Sequence, residues 1–150
     1  MKNIKVFILL LCLMLVGCGK KSYFTCNIDN DNNIDNYKHS GIYNIYYKGD
    51  YVTKIDKEDN YYSNNKNTLN YLNELNELQY YDLSDKYGGV TYVINSNEDS
   101  IEIKSSIDLK EFDIKSYSKD DKIDSNYVLS NKLLKNGIKR VYESRGAICK

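Results

Sequence analysis

The sequence predicts an α+β fold: one antiparallel sheet of about five strands, packed on one face by two helices, in the order β-β-β-α-β-β-α. Three observations predict it. The segment IEIKSSIDL alternates, with Ile101, Ile103, Ile107 and Leu109 on one side and Glu102, Lys104 and Asp108 on the other, as a strand with one wet face does. Two segments, residues 68–89 and 127–146, carry apolar residues at helical spacing and end on glycine, the usual helix stop. The length of 150 residues suits one domain.

Each element follows in chain order. SYFTCNI, residues 22–28, is β-prone and predicts the first strand. DNDNNIDNYKHS is polar and turn-rich and predicts a solvated loop. GIYNIYYKGDYVTKI holds two Tyr-rich, β-branched runs around Lys48-Gly49-Asp50, a hairpin with a glycine free to take positive φ. In the first helix Tyr71, Leu72, Leu75 and Leu78 predict the buried face, opposite Asn70, Asn73, Asn76 and Glu77, and Gly88-Gly89 predict its end. VTYVI, residues 90–94, is the fourth strand, and the alternating segment is the fifth. The second helix carries Leu134, Ile138 and Val141 as its stripe, with Ser125 or Ser130 as cap. Gly137 weakens it by about 1 kcal/mol relative to Ala, and Gly146 stands where a C′ glycine belongs.

Lys2 and Lys5 precede an apolar run from Val6 to Val16. Eleven residues are too few to cross a bilayer, which takes about 20, but they match a secretory signal. The run ends Leu15-Val16-Gly17-Cys18, which resembles the lipobox of bacterial lipoproteins. That resemblance implies a diacylglyceryl group on the Cys18 sulfur and cleavage just before it. Two acyl chains anchor stably where one is marginal. The expected organisation is a signal at residues 1–17, a lipid-anchored tether at 18–22 and a domain at 23–150, facing the extracytoplasmic side of the cell membrane. At about 3.5 Å per residue, residues 19–25 hold that domain within roughly 25 Å of the lipid.

Cys12 leaves with the signal and Cys18 goes to lipid. Cys26 and Cys149 remain, at opposite ends of an exported chain, which predicts one disulfide worth about 5 kcal/mol in the chain-entropy picture. Two free thiols are the alternative. With His39 as the one histidine, two cysteines do not make a usual zinc set.

YYKGDYVTKI, then LSDKYGGVTYVI, then the strand ending SIDLKEFDI, together resemble the YehR-like small bacterial lipoproteins, a family of unknown function. The early YFTC and closing GAICK resemble its low-GC Gram-positive members. The resemblance runs over residues 23–150. It implies a lipid-anchored α+β domain and brings no catalytic residue and no ligand.

The chemistry-bearing patterns are few. Asp29-x-Asp31-x-Asn33-x-Asp35 opens like a calcium loop. The position that needs Gly is Ile34, and the one that needs a bidentate Glu is Ser40, so a solvated loop is the simpler reading. His39 lies in the same loop, where a Cys–His nucleophile needs a reduced Cys26. No Gly-x-Ser-x-Gly, His-Glu-x-x-His or phosphate-cradling Gly loop occurs. A pair among the 21 acids can still meet in space. Tyr43, Tyr46, Tyr47 and Tyr51 cluster in the hairpin as a possible recognition face. Tyr is also a preferred strand residue, and AT-rich coding raises it along with the 19 Asn. The formal net charge is +0, about −2 once the signal is removed, so phosphate-driven nucleic-acid binding lacks support.

The expectation is a monomeric, non-catalytic lipoprotein, held at the membrane by its lipid, that acts as a binding or accessory module of the envelope. No cofactor or metal is expected, and an envelope protein or a glycan is the expected partner. The alternatives are a small envelope hydrolase with paired carboxylates and a surface adhesin or antigen.

Overall fold

The computed structural model describes residues 22–32, 36–120 and 122–150. The expected signal, Cys18 and most of the tether lie outside the described residues, as do Asn33, Asp35 and the side chain of Asp31. Among the described residues no helix is long and apolar enough to cross a membrane.

Three long strands open the chain: β1 (Ser22–Asn32), β2 (Tyr37–Lys48) and β3 (Tyr51–Tyr62). Helix α1 (Lys66–Tyr87) then leads to β4 (Val90–Ser96) and β5 (Ser100–Asp108). A short helix α2 (Ile114–Lys119) and a 3-10 turn (Ser125–Tyr127) precede a two-residue hairpin, β6 (Val128–Leu129) and β7 (Lys132–Leu133). Helix α3 (Lys135–Ser144) and β8 (Ile148–Cys149) close it. The main sheet is antiparallel and six-stranded, in the order β4-β5-β3-β2-β1-β8. The α+β class and the antiparallel main sheet therefore stand, with six strands rather than about five, and β6-β7 form a second, two-stranded sheet.

The polar segment expected to be a loop is mostly strand: Asp29 pairs with Ser40 and the ladder runs on to Asn32 opposite Tyr37. Length overrides composition here, because each added polar residue still gains its ladder hydrogen bonds. The β2–β3 turn is Gly49-Asp50, with Gly49 at φ +62°, the first central position of a II′-type hairpin.

Helix α1 starts two residues earlier than expected, capped by the Asn65 side chain, which accepts from the backbone N–H of Asn67 and Thr68. Its buried stripe is Leu69, Leu72, Asn76, Tyr80 and Tyr87. Tyr71, Leu75 and Leu78, expected to be buried, are exposed, and Asn76, expected to be exposed, is buried with its amide donating to the Leu72 carbonyl at 2.7 Å. The Gly88-Gly89 stop is as expected: the Gly88 N–H bonds the Ser84 carbonyl, and both glycines have positive φ.

The expected helix over 127–146 is only α3. Ser130 and Asn131 take φ of +52° and +59°, which makes β6–β7 a I′-type hairpin and ends any helix there. Neither Ser125 nor Ser130 caps α3; Leu134 holds that position with no side-chain bond. Gly137 has a packing role: a Cβ there would lie 2.6 Å from the Tyr127 Cβ. The Gly146 stop is present, at φ +88°.

The disulfide joins Cys26 to Cys149, which lie directly opposite each other in the β1–β8 ladder. The core comprises the inward residues of the sheet, among them Ile45, Ile101 and Ile103, under α1 and α3. Helix α1 lies against β4 and β5, and α3 against β1 and β8.

Candidate functional site

Because α1 covers the β4–β5 end and α3 the β1–β8 end of one face of the sheet, the middle over β3 is left as a cleft of about 340 Å³. Ile55, Ile107 and Leu109 line its sheet side, Leu83 its α1 side, and Ile138, Val141 and Tyr142 its α3 side. Phe112 and Tyr117 close one end. The lining also carries Lys57, Gln79, Lys122, Asp124, Ser144 and Arg145, so the cleft offers polar and apolar surface together, as concave small-molecule sites with placed polar groups do.

One polar residue of the lining comes from the centre of the sheet: Lys57. Its side chain is 22% exposed and its ammonium lies 3.5 Å from Asp59 Oδ2, whose side chain is 5% exposed. Period-2 geometry explains the pair, since residues 57, 59 and 61 share one face of β3. The register does the rest. Gly41 sits directly opposite Asp59, with Tyr43 opposite Lys57 and His39 opposite Tyr61. A Cβ on Gly41 would come within 2.6 Å of the Tyr43 hydroxyl and 2.9 Å of Asp59 Oδ1. The bare glycine therefore leaves the space in which its neighbours reach Asp59. The Tyr43 hydroxyl donates to Asp59 Oδ1 at 2.5 Å, and His39 Nε2 lies 2.8 Å from the same oxygen. His39 is stacked on Tyr61 at 4.4 Å between centroids.

Burial works against the Asp59 charge. The hydrogen bond from His39, the Lys57 ammonium and the Tyr43 hydroxyl outweigh it and hold the carboxyl below its ordinary value. Burial likewise pushes Lys57 down, but the Asp59 carboxylate and Tyr80 push it further up, so it stays protonated. Tyr43 is pushed up by burial and then by Asp59, so it remains a donor. Lys57 also donates to the Tyr80 hydroxyl at 3.2 Å, which accepts from Ser105 Oγ at 3.2 Å. The Lys57 ammonium lies 5.2 Å from the Tyr43 ring centroid and 5.6 Å from that of Tyr80, within cation–π range. Tyr142 stacks on Tyr43 at 4.8 Å and roofs the network.

Chemically this is a satisfied ion pair below a cleft of mixed polar and apolar lining. Asp59 already accepts from a tyrosine and meets a histidine and a lysine, so its lone pairs are engaged. Cys26 is in the disulfide and offers His39 no thiol. At the mouth stand Lys122, Arg145 and Asp124.

The residues expected from sequence are placed as follows. Cys26 and Cys149 are bridged. Asp29 is exposed on β1. The four hairpin tyrosines do not share a face. Tyr43 is buried under α3, Tyr46 packs on Tyr23 at 5.6 Å, Tyr47 on Phe24 at 6.1 Å, and Tyr51 meets the Lys132 ammonium at 5.2 Å. Alternation puts Tyr46 on the opposite face from Tyr43 and Tyr47, and the register shift at Tyr46/Tyr47 falls on β3, where Thr53 is the extra residue. Lys57, Asp59 and Gly41 were not singled out by sequence. The available signal was the pair of period-2 triplets His39-x-Gly41-x-Tyr43 and Lys57-x-Asp59-x-Tyr61.

This architecture, one main antiparallel sheet with its helices on one face, is that of a small α+β domain, and the chain adds a covalent tie from its last strand to its first. The chain is similar to the NMR structure of the YehR protein of Escherichia coli, with a TM-score of 0.54 at 14% identity, over 87% of this chain and 92% of that one. It therefore has a YehR-like fold. A protein from Streptococcus pneumoniae TIGR4, also solved by NMR, aligns at a TM-score of 0.48 and 15% identity over 87% of each chain. No known family profile and no curated protein matches the sequence.

Proposed function

We propose that this chain is a membrane-anchored extracytoplasmic lipoprotein that serves as a non-catalytic binding or accessory module of the cell envelope, with the cleft over β3 as its ligand site. The lipobox-like Leu15-Val16-Gly17-Cys18 behind a basic, apolar leader supports the anchor. The observation that carries the binding role is the cleft itself: Leu83, Ile138 and Val141 give it apolar surface, Gln79, Lys122, Asp124 and Arg145 give it polar groups, and the ionisable groups at its floor are paired with one another. A hydrolase built on paired carboxylates is less well supported, because the lining has Asp124 as its carboxylate beside Lys57, Lys122 and Arg145.

The test uses the full chain extracted from membranes in mild detergent. Native mass spectrometry is expected to find a small amphipathic molecule on the wild type and none on Val141→Trp, which fills the cleft. Equal loading of the two proteins, or no bound molecule on either, overturns the cleft assignment. Retention of Cys18→Ala in the detergent phase, to the same extent as wild type, overturns the anchor.

A further inference from the structure

We propose that the groove between α1 and the free edge of β4 is a peptide-docking site, which takes an extended apolar segment with a central basic residue as an added strand. The first observation is the edge itself. Among the described residues, β4 ends the sheet with no neighbour on its outer side. All seven of its residues pair with β5 in unbroken register, so no bulge twists it away. It carries no charged residue and the chain has no Pro. Edges that must stay unpaired are usually short, charged, bulged or interrupted by Pro. The opposite edge follows that rule, since β8 is two residues long and held by the disulfide. The β4 edge uses none of these devices.

The second observation is what lies beside it. Tyr92 and Ile94 of β4 and Leu78 and Tyr81 of α1 line a shallow groove, with Glu74 and Glu77 on its rim. Leu78 is 66% and Tyr81 59% exposed, so two large apolar side chains stand in water beside an unpaired strand. The α1 segment from Asn67 to Asp85 has four acids and no Lys or Arg. In strand addition the backbone supplies affinity and alternate side chains supply selectivity. Here the groove asks for apolar residues at alternate positions and a cation to meet the two glutamates. A second copy of this chain would bring the same acidic rim against itself, so charge favours a different partner.

The experiment titrates the full, 15N-labelled chain in micelles with a blocked heptapeptide, Thr-Val-Thr-Lys-Thr-Val-Thr, and with the same peptide carrying Glu for Lys. The lysine peptide is expected to shift the Val90–Ser96 amides, slow their hydrogen exchange, and bind about tenfold more tightly than the glutamate peptide. The exposed double variant Glu74→Lys/Glu77→Lys is expected to reverse that order. No shift at millimolar peptide, equal binding of the two peptides, or a preference that survives the double variant overturns the proposal. Sedimentation showing a dimer, with β4 amides already protected in the free protein, assigns the edge to self-association and overturns it equally.

Discussion

Asp59 is a carboxylate in the interior of a sheet, and its charge persists because three groups were brought to it by strand register. A folded-state value below the ordinary one means that its contribution to stability is present above its unfolded value, about 4, and is lost as pH falls through the folded value. Asp59→Asn is therefore expected to cost about 3–5 kcal/mol at pH 7, because it leaves the Lys57 ammonium buried without its counter-ion. Its deficit against wild type should shrink below about pH 4. Urea unfolding of both proteins at pH 7, 5 and 3 reads this out, and a deficit that does not change with pH contradicts it. Gly41 is the enabling residue. Gly41→Ala would force the Tyr43 hydroxyl and Asp59 apart and is expected to lower stability by about 1–3 kcal/mol, seen as a drop in urea midpoint. Beyond the two period-2 triplets, little of this was legible in sequence. Residues 56–60 of β3, DKEDN, are polar on both faces, so alternation could not show which side carried the buried pair.

At the scale of elements, α1 shows where periodicity misleads. It carries two apolar stripes, Leu69-Leu72-Tyr80 against the sheet and Tyr71-Leu75-Leu78-Tyr81 toward solvent. A 100°-per-residue reading registers both, and only the docked sheet decides between them. Leu72→Ala is expected to cost about 2–5 kcal/mol, while Leu75→Ala, at a site 46% exposed, should change stability by less than about 1 kcal/mol. Thermal or urea unfolding of the two variants distinguishes the faces, and the reverse order would contradict this packing. The β2–β3 hairpin, the β5 alternation and the Gly88-Gly89 stop were legible because each is local, fixed by turn chemistry or a period of two. Residues 127–133 were misread because LSNKL fits a helical stripe as well as a hairpin. Two positive-φ residues without glycine leave a weak signal. Helix α2 escaped notice for its brevity, although its Asp113 cap, which accepts from the Ser116 N–H at 3.1 Å, is a regular N-terminal device.

At the scale of the whole molecule, the last strand is held by little besides its bond to the first. Strand β8 has two residues, flanked by reciprocal backbone bonds between Thr25 and Lys150 at 2.9 Å each. Reduction of the disulfide, with a sequence separation of 123, is expected to cost about 5 kcal/mol and to expose the amides of Ile148 and Cys149 to exchange before the rest of the sheet. Denaturant curves and amide exchange with and without reductant test both. The terminal pairing was legible as a bridge between two distant cysteines, whereas a two-residue strand leaves no periodic trace. The same bond makes residues 26–149 a covalently closed ring. A protease that cuts any one exposed turn inside that ring opens it without releasing a fragment, and both pieces stay joined to whatever precedes Ser22. A cleaved population would run as intact protein until reductant is added, so damage at the surface would leave the molecule in place.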